Sequence, residues 1–114
     1  MSELIKELLK RVDEAVTKHY SYYSTSSYRV DKYTFIKVDV FRVWGELPVD
    51  IDGRILILLK KTSSGEKILA YSIKVPGNRQ LERELRKTLK TLKQEHKKRA
   101  ITETSQSSEE RHPS

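Results

Sequence analysis

Eight basic side chains share one side of a predicted helix near the carboxyl end of the chain. A helix turns by ~100° per residue, which places all eight within about 140° of arc, opposite an apolar stripe of leucines. They are Arg79, Arg83, Arg86, Lys87, Lys90, Lys93, Lys97 and Lys98. A row of guanidinium and ammonium groups binds phosphate oxygens, and each neutralised phosphate of a nucleic acid releases counterions. This row, called the basic stripe below, is the candidate nucleic-acid-binding surface.

The charge distribution also favours a polyanionic partner. The chain of 114 residues carries a net charge of +7, and residues 79–99 alone contribute +6. Like charges four positions apart on a helix cost about 0.2–0.5 kcal/mol per pair, a cost that a polyanion removes. No residue pattern for reading base edges is present, so we expect phosphate contacts to DNA or RNA with low sequence specificity. An acidic protein partner and a merely solvated helix face are the alternatives, and no membrane binding is expected.

Five of the six tyrosines lie between positions 20 and 33, in a serine-rich stretch without hydrophobic periodicity. We expect a loop over 21–32. Its candidate contacts to unpaired bases or to a protein are Tyr22, Tyr23, Tyr28 and Arg29. The alternative is that the tyrosines fold back over a sheet. The second candidate function is therefore a protein-interaction module, a small inhibitor or regulator of a larger complex, which uses this loop and the sheet face.

Residues for catalysis or metal binding form no complete pattern. The chain has no cysteine, and its four glycines are scattered singly, so a glycine-rich phosphate loop is absent. Asp50 and Asp52 resemble the first acid of restriction-type nucleases, but leucines stand two positions before both lysines of 60–61, where the second carboxylate is needed. We expect a turn at Asp52-Gly53, no metal, no cofactor and no enzymatic activity. A degenerate nuclease-like arrangement is the remaining enzymatic alternative.

Two helices and three strands are predicted to position these residues. Apolar residues recur with helical spacing over 2–20 and 78–98, and Asn78 can cap the second helix. β-branched and aromatic residues indicate strands over 33–44, 54–61 and 67–75.

This order predicts an α+β fold, α-β-β-β-α, with a three-stranded antiparallel meander and both helices packed on one face. Residues 45–53 read as a turn region because of Pro48 and Asp52-Gly53. We expect one domain over 1–99 and a disordered polar tail over 100–114, which has few apolar side chains.

Assembly and environment can also be predicted. Strand 54–61 is apolar on both faces, whereas two helices cover only one face of a sheet. The apolar face left over predicts a homodimer, formed through that face or along an edge strand. No apolar run reaches the ~20 residues of a membrane span, and no signal peptide is visible, so we expect a cytoplasmic protein. Few Asn, Gln and Met residues beside many Lys and Glu residues are typical of thermophile proteins.

Overall fold

Two helices flank a four-stranded antiparallel sheet. The computed structural model describes the backbone of residues 3–111 and the side chains up to Glu95. The elements in chain order are α1 (Glu3–Thr17), β1 (Tyr23–Val30), β2 (Tyr33–Trp44), β3 (Leu47–Thr62), β4 (Gly65–Lys74) and α2 (Arg79–Arg111). The strands form a meander in the order β1-β2-β3-β4. The α+β class is confirmed, but the predicted three strands and α-β-β-β-α order are wrong, because the described chain has a fourth strand.

The additional strand is β1, which replaces most of the predicted loop over 21–32. All eight of its residues pair in register with β2, from Tyr23 opposite Val40 to Val30 opposite Tyr33. The two strands are joined by a two-residue turn in which Asp31 has φ = 56°, a left-handed conformation that tight hairpins require and Asp tolerates. Seven of the eight residues of β1 are exposed. Its sequence therefore has no apolar alternation, and the ladder with β2 holds the strand.

The predicted turn region over 45–53 is also largely strand. Only Gly45 and Glu46 form the turn, and β3 begins at Leu47. Two irregularities in the pairing leave Val49 and Asp52 as extra residues in β3, which is how bulges admit a proline and an Asp-Gly pair into a strand. Residues 41–52 lie beyond the ends of both outer ladders. They form a two-stranded extension, called the arm below.

One face of the sheet packs on both helices and forms the core. Alternating residues of β2 and β3 meet the apolar stripes of α1 and α2, as the helical and strand periodicities predict. The largest fully buried side chains are Leu8, Val16, Ile36, Val38, Val40, Ile55, Ile57, Leu59, Leu81, Leu85, Leu89 and Leu92. Each contributes roughly 1.5–3 kcal/mol by leaving water. The opposite face of the sheet, called the open face below, is covered by neither of the two helices within residues 3–111.

Helix α2 extends further than its apolar stripe. Its backbone is helical to Arg111, past the predicted end near Lys98, whereas its last described buried residue is Leu92. The division into a domain over 1–99 and a disordered tail over 100–114 stays a prediction, and residues 112–114 lie outside the described part. None of the helices within residues 3–111 is long and apolar enough to cross a membrane.

A hydrogen bond connects the end of α1 to the base of the arm. The Tyr20 hydroxyl donates to Asp52 Oδ2 at 2.5 Å. The strand pairing places Asp52 in a bulge of β3, so the predicted Asp52-Gly53 turn is wrong. Burial, and then the neighbouring Asp52 carboxylate, raise the pKa of Tyr20 well above its usual range. The next residue, Gly53, passes close to β4: an added Cβ would lie 2.9 Å from the Lys74 carbonyl oxygen and from Val75.

We expect Gly53→Ala to destabilise the protein by about 1–3 kcal/mol, because the new methyl group overlaps backbone and a packed valine. Thermal unfolding followed by circular dichroism measures the effect. Gly45→Asn is the matched control, since Gly45 has open space around it and a φ of 65° that Asn tolerates. Equal melting temperatures for Gly53→Ala and the unchanged protein would contradict the close approach.

We expect Tyr20→Phe to lower stability at neutral pH by about 1–3 kcal/mol, because Asp52 loses a hydrogen-bond donor in a partly buried position. Since the pKa of Tyr20 is raised in the folded state, the unfolded state loses this proton first. The Tyr20 contribution is complete below pH ~10 and declines as the pH rises above it. Denaturant unfolding should therefore show that the difference in free energy of unfolding between the unchanged protein and Tyr20→Phe decreases from pH 7 to 11. A gap that widens with pH would contradict the assignment.

Candidate nucleic-acid interface

The basic stripe lies on α2, which begins where the sequence predicts. Asn78 Oδ1 accepts a hydrogen bond from the Leu81 N–H at 3.0 Å, the expected N-terminal cap. The leucine seam of the helix then packs over the sheet beside the edge strand β4. The stripe is thereby placed on the outer side of α2, along one edge of the sheet.

Two members of the predicted stripe have structural partners on the edge strand. Arg86 Nη2 donates to the Ile73 carbonyl at 3.3 Å, and Lys93 Nζ donates to the Leu69 carbonyl at 3.4 Å. In the opposite sense, the Val75 N–H donates to Glu82 Oε2 at 3.2 Å. These three contacts satisfy outward-facing backbone groups of β4 and of Val75, the residue that follows it. Arg86 and Lys93 are therefore edge caps as well as cations.

The remaining described members of the stripe carry uncompensated charge. Their spacing is four, four and three residues along one side of the helix, and all are exposed; they are Arg79, Arg83, Lys87 and Lys90. None of the four forms a hydrogen bond or ion pair with another described side chain. The side chains of Lys97 and Lys98, the last two predicted members, lie outside the described residues. The free cations, a name kept for these four, are the part of the stripe available to a ligand.

Glu82 and Glu84, the two acids in the first turns of α2, point away from the free cations. Glu82 faces the β4 edge, where it also pairs with Arg86 at 2.9 Å. Glu84 faces α1, where it pairs with Lys18 at 3.1 Å and lies 3.8 Å from His19 Nε2. The two carboxylates are thus used for packing the helix against its neighbours, and the outer side of α2 keeps its positive charge.

A groove of about 530 Å³ runs between α2 and β4 beside the free cations. Its lining contains four cations and no acid: Tyr71, Ser72, Ile73, Lys74, Arg86, Lys87 and Lys90. Lys74 and Tyr71 were not among the predicted contacts, since they belong to a strand rather than to the basic helix. The sequence feature that could have identified Lys74 is the short connection from Lys74 to α2, which brings the end of β4 close to the start of the basic helix. This region is called the basic groove below.

The predicted tyrosine-loop contacts are not brought together. Alternation along β1 places Tyr22 and Tyr28 on the open face, where both are exposed. Tyr23 instead packs against the core, and Arg29 is exposed on the side of the sheet that carries the helices. Tyr23, Tyr28 and Arg29 belong to β1 and Tyr22 directly precedes it, so the four residues do not form one adaptable loop. The alternative was that the tyrosines fold back and cover the open face. Instead, β1 lies beside β2 in the sheet, and Tyr28 is itself 54% exposed.

The open face combines apolar side chains with one compensated charge cluster. Tyr28 is paired across the ladder with Phe35, and Phe35 with Leu58. Further along, Asp39 is only 6% exposed. It accepts from Arg54 Nε at 2.7 Å and lies 4.0 Å from Lys37 Nζ. Hydrogen bonding to Asp39 raises the pKa of Arg54, which is charged in any case, so the cluster leaves one net positive charge.

The acids considered for catalysis have structural partners. Asp50 pairs with Arg42 across the arm at 3.1 Å, and Asp52 accepts the Tyr20 hydroxyl. Within the described part of the chain, no three His, Asp or Glu residues are grouped in a way that could hold a metal ion. The expectation of a non-enzymatic protein stays a prediction.

Comparison with known proteins finds no match: no family model, no curated protein sequence and no solved structure is similar to this chain. The function is therefore argued from the surfaces described above.

The division of the stripe into edge caps and free cations predicts different mutational effects. We expect Arg86→Ala to destabilise the protein by about 0.5–1.5 kcal/mol, because the Ile73 carbonyl and Glu82 lose a donor. The control Lys87→Ala removes a neighbouring cation that has no partner among the described side chains, and it should leave stability nearly unchanged. Chemical denaturation of both variants measures this difference. Equal stability of the two would show that Arg86 is no more of an edge cap than Lys87.

Proposed function

We propose that this protein binds nucleic acid non-enzymatically through phosphate contacts along the free cations and the basic groove. The observation that carries the proposal is that Arg79, Arg83, Lys87 and Lys90 are exposed on one side of α2, without partners among the described side chains. Lys74 extends this positive surface onto the sheet edge. Guanidinium and ammonium groups without countercharge are what a phosphate backbone neutralises.

The length of the free cations suits a nucleic-acid strand. Positions 79 to 90 extend about 16 Å along the helix axis at ~1.5 Å per residue. Along the axis of a B-form duplex, that distance corresponds to about five base-pair steps at ~3.4 Å each. Four phosphate contacts predict that the logarithm of the binding constant falls with the logarithm of salt concentration with a slope of about −3.6 for duplex DNA, at about −0.9 per phosphate. Such contacts carry little sequence information.

We expect the double substitution Lys87→Glu and Lys90→Glu to abolish detectable binding to duplex DNA and RNA while leaving the fold intact. Both residues line the basic groove and neither is an edge cap. Fluorescence anisotropy at several salt concentrations measures binding, and circular dichroism checks the fold. Single Lys→Ala changes at either position should lower the salt slope by about 1.

The matched control is Lys6→Glu with Lys10→Glu, which changes the net charge equally on the exposed side of α1. It should retain most of the affinity, because the local potential and not the total charge holds the ligand. If both double variants lose affinity for nucleic acid equally, the total charge of the protein and not the basic groove accounts for binding. Unchanged affinity in the Lys87, Lys90 variant would exclude the basic groove as the binding site.

A second candidate function, a protein-interaction module, is favoured by the exposed apolar side chains. Those in the described region all lie between positions 22 and 56, on the open face, its edge strand and the arm. They are Tyr22, Tyr28, Val30, Phe35, Trp44, Leu47, Val49, Ile51 and Leu56. An apolar surface of this kind is typical of a protein contact.

The two candidate functions use different surfaces, which makes them separable. Phe35→Ser with Leu56→Ser changes the open face and leaves the basic groove intact. Nucleic-acid affinity that is unchanged in this variant supports the phosphate contacts proposed for α2. A loss of affinity there, with the groove variant unaffected, would instead support a binding surface on the sheet.

A further inference from the structure

The two edges of the sheet differ in how their backbone groups are satisfied. At the edge formed by β4, side chains of α2 bond the carbonyls of Ile73 and Leu69 and the N–H of Val75, which directly follows the strand. On β1, no side chain in the described part of the chain bonds the outer backbone groups, and seven of the eight residues are exposed. Natural monomers protect an edge with lysines, prolines or bulges. β1 contains no lysine, proline or bulge and pairs with β2 without interruption, and its one charged residue is Arg29, next to its end.

The hydrogen-bond alternation identifies which groups of β1 face outward. Tyr22 O accepts from the Phe41 N–H at 3.0 Å, so this pair is a hydrogen-bonded one. Bonded pairs alternate in an antiparallel ladder, which assigns the even-numbered residues of β1 to bonds with β2. The N–H and C=O groups of the odd-numbered residues therefore point away from the sheet. These outward residues are Tyr23, Thr25, Ser27 and Arg29.

We propose that the chain forms a homodimer by antiparallel pairing of β1 with β1 of a second copy, around a two-fold axis at Ser26. In this register, Thr25 lies opposite Ser27 of the second copy and Tyr23 lies opposite Arg29 of the second copy. Every outward residue then meets an outward residue, and each such pair exchanges two backbone hydrogen bonds. The two four-stranded sheets become one continuous sheet.

The side chains in this register are self-complementary. Arg29, which is the one charged residue of β1, lies opposite Tyr23 and can contact the ring of that tyrosine as a cation. Thr25 and Ser27 place hydroxyl groups opposite each other, a favourable cross-strand pair. No like charges face each other at any position. A second copy of the chain is therefore the occupant that the edge fits.

The environment of β1 also leaves room for a second copy. The helices share the core with β2, β3 and β4, whereas seven of the eight residues of β1 are exposed. The basic groove lies at the opposite edge of the sheet, so pairing through β1 leaves it accessible in both copies. The dimer does not depend on the proposed function, although two grooves in one particle would raise the affinity for a polyanion.

Sedimentation equilibrium of the full chain at micromolar concentration tests the assembly. We expect a mass of twice the chain mass of 13.4 kDa. Thr25→Lys with Ser27→Lys places like charges opposite each other across the axis and should give a monomer. Thr25→Glu with Ser27→Glu should do the same. An equimolar mixture of the two variants restores opposite charges in the proposed register, and it should return to the dimer mass.

The mixture also shows that loss of the dimer is not loss of the fold, because two misfolded variants would not restore each other. A monomeric mass for the unchanged chain throughout this concentration range would overturn the proposal. So would a dimer that persists in both charged variants, since it must then form through the open face or the arm. Two monomeric variants that fail to associate when mixed would overturn the register.

Amide hydrogen exchange provides a readout that needs no variant. At concentrations where the dimer forms, the outward amides of Thr25 and Ser27 should exchange slowly, as the inward amides of Ser24 and Ser26 do. Dilution should speed the exchange of the outward amides and leave that of the inward amides unchanged. Fast exchange of Thr25 and Ser27 in a dimeric sample would exclude β1 from the interface.

Discussion

Backbone hydrogen-bonding groups at the edges of the sheet are the constraint on which the rest of this structure depends. A meander of four strands has two edges, and each edge presents N–H and C=O groups that need partners. Helix α2 satisfies groups along one edge with Glu82, Arg86 and Lys93, while its leucines pack against the sheet. The position of the helix is therefore determined both by apolar burial and by hydrogen bonding. This docking places the remaining basic side chains on the outside.

The apolar residues of the chain are distributed unevenly between the core, the strands of the sheet and the arm. The core is made by one face of β2, β3 and β4 together with the two helices, and it uses most of the apolar residues. Little apolar material remains for β1, which is rich in serine. The apolar residues outside the core lie on the open face and on the arm, where Trp44 is 82% exposed. The three distinct surfaces of the molecule are consequently a basic groove, an apolar face and an unpaired edge.

Sequence periodicity identified the elements that bury a face and missed those that do not. Both helices and the core-forming parts of β2, β3 and β4 alternate or repeat with the period of their element, so their positions could be predicted. β1 contributes no fully buried side chain, and its serines and Asp31 read as a loop. The first part of β3 was read as a turn because Pro48 and Asp52-Gly53 usually end strands. Here bulges at Val49 and Asp52 accommodate them, and only the pairing with β2 reveals this.

The position of the candidate site on α2 could be predicted from the sequence, but its division into edge caps and free cations could not. Helical geometry alone places the eight basic residues on one side of α2. Whether a given residue caps an edge or remains free depends on where the carbonyls of Ile73 and Leu69 lie, which is a tertiary feature. The same is true of Lys74, whose contribution to the groove follows from the connection between β4 and α2.

Edge capping accounts for only part of the positive charge on α2. Arg86 and Lys93 each donate a hydrogen bond to a backbone carbonyl of β4, which offsets the repulsion from neighbouring cations. Arg86 also forms an ion pair with Glu82. Arg79, Arg83 and Lys87 are spaced four residues apart, so each adjacent pair costs about 0.2–0.5 kcal/mol. No described acid offsets this repulsion, since Glu84 is directed to Lys18 and His19 on α1. Folding alone would be favoured by an acid at one of these positions. The uncompensated charge of these residues therefore favours a ligand that brings its own negative charge, as a phosphate backbone does.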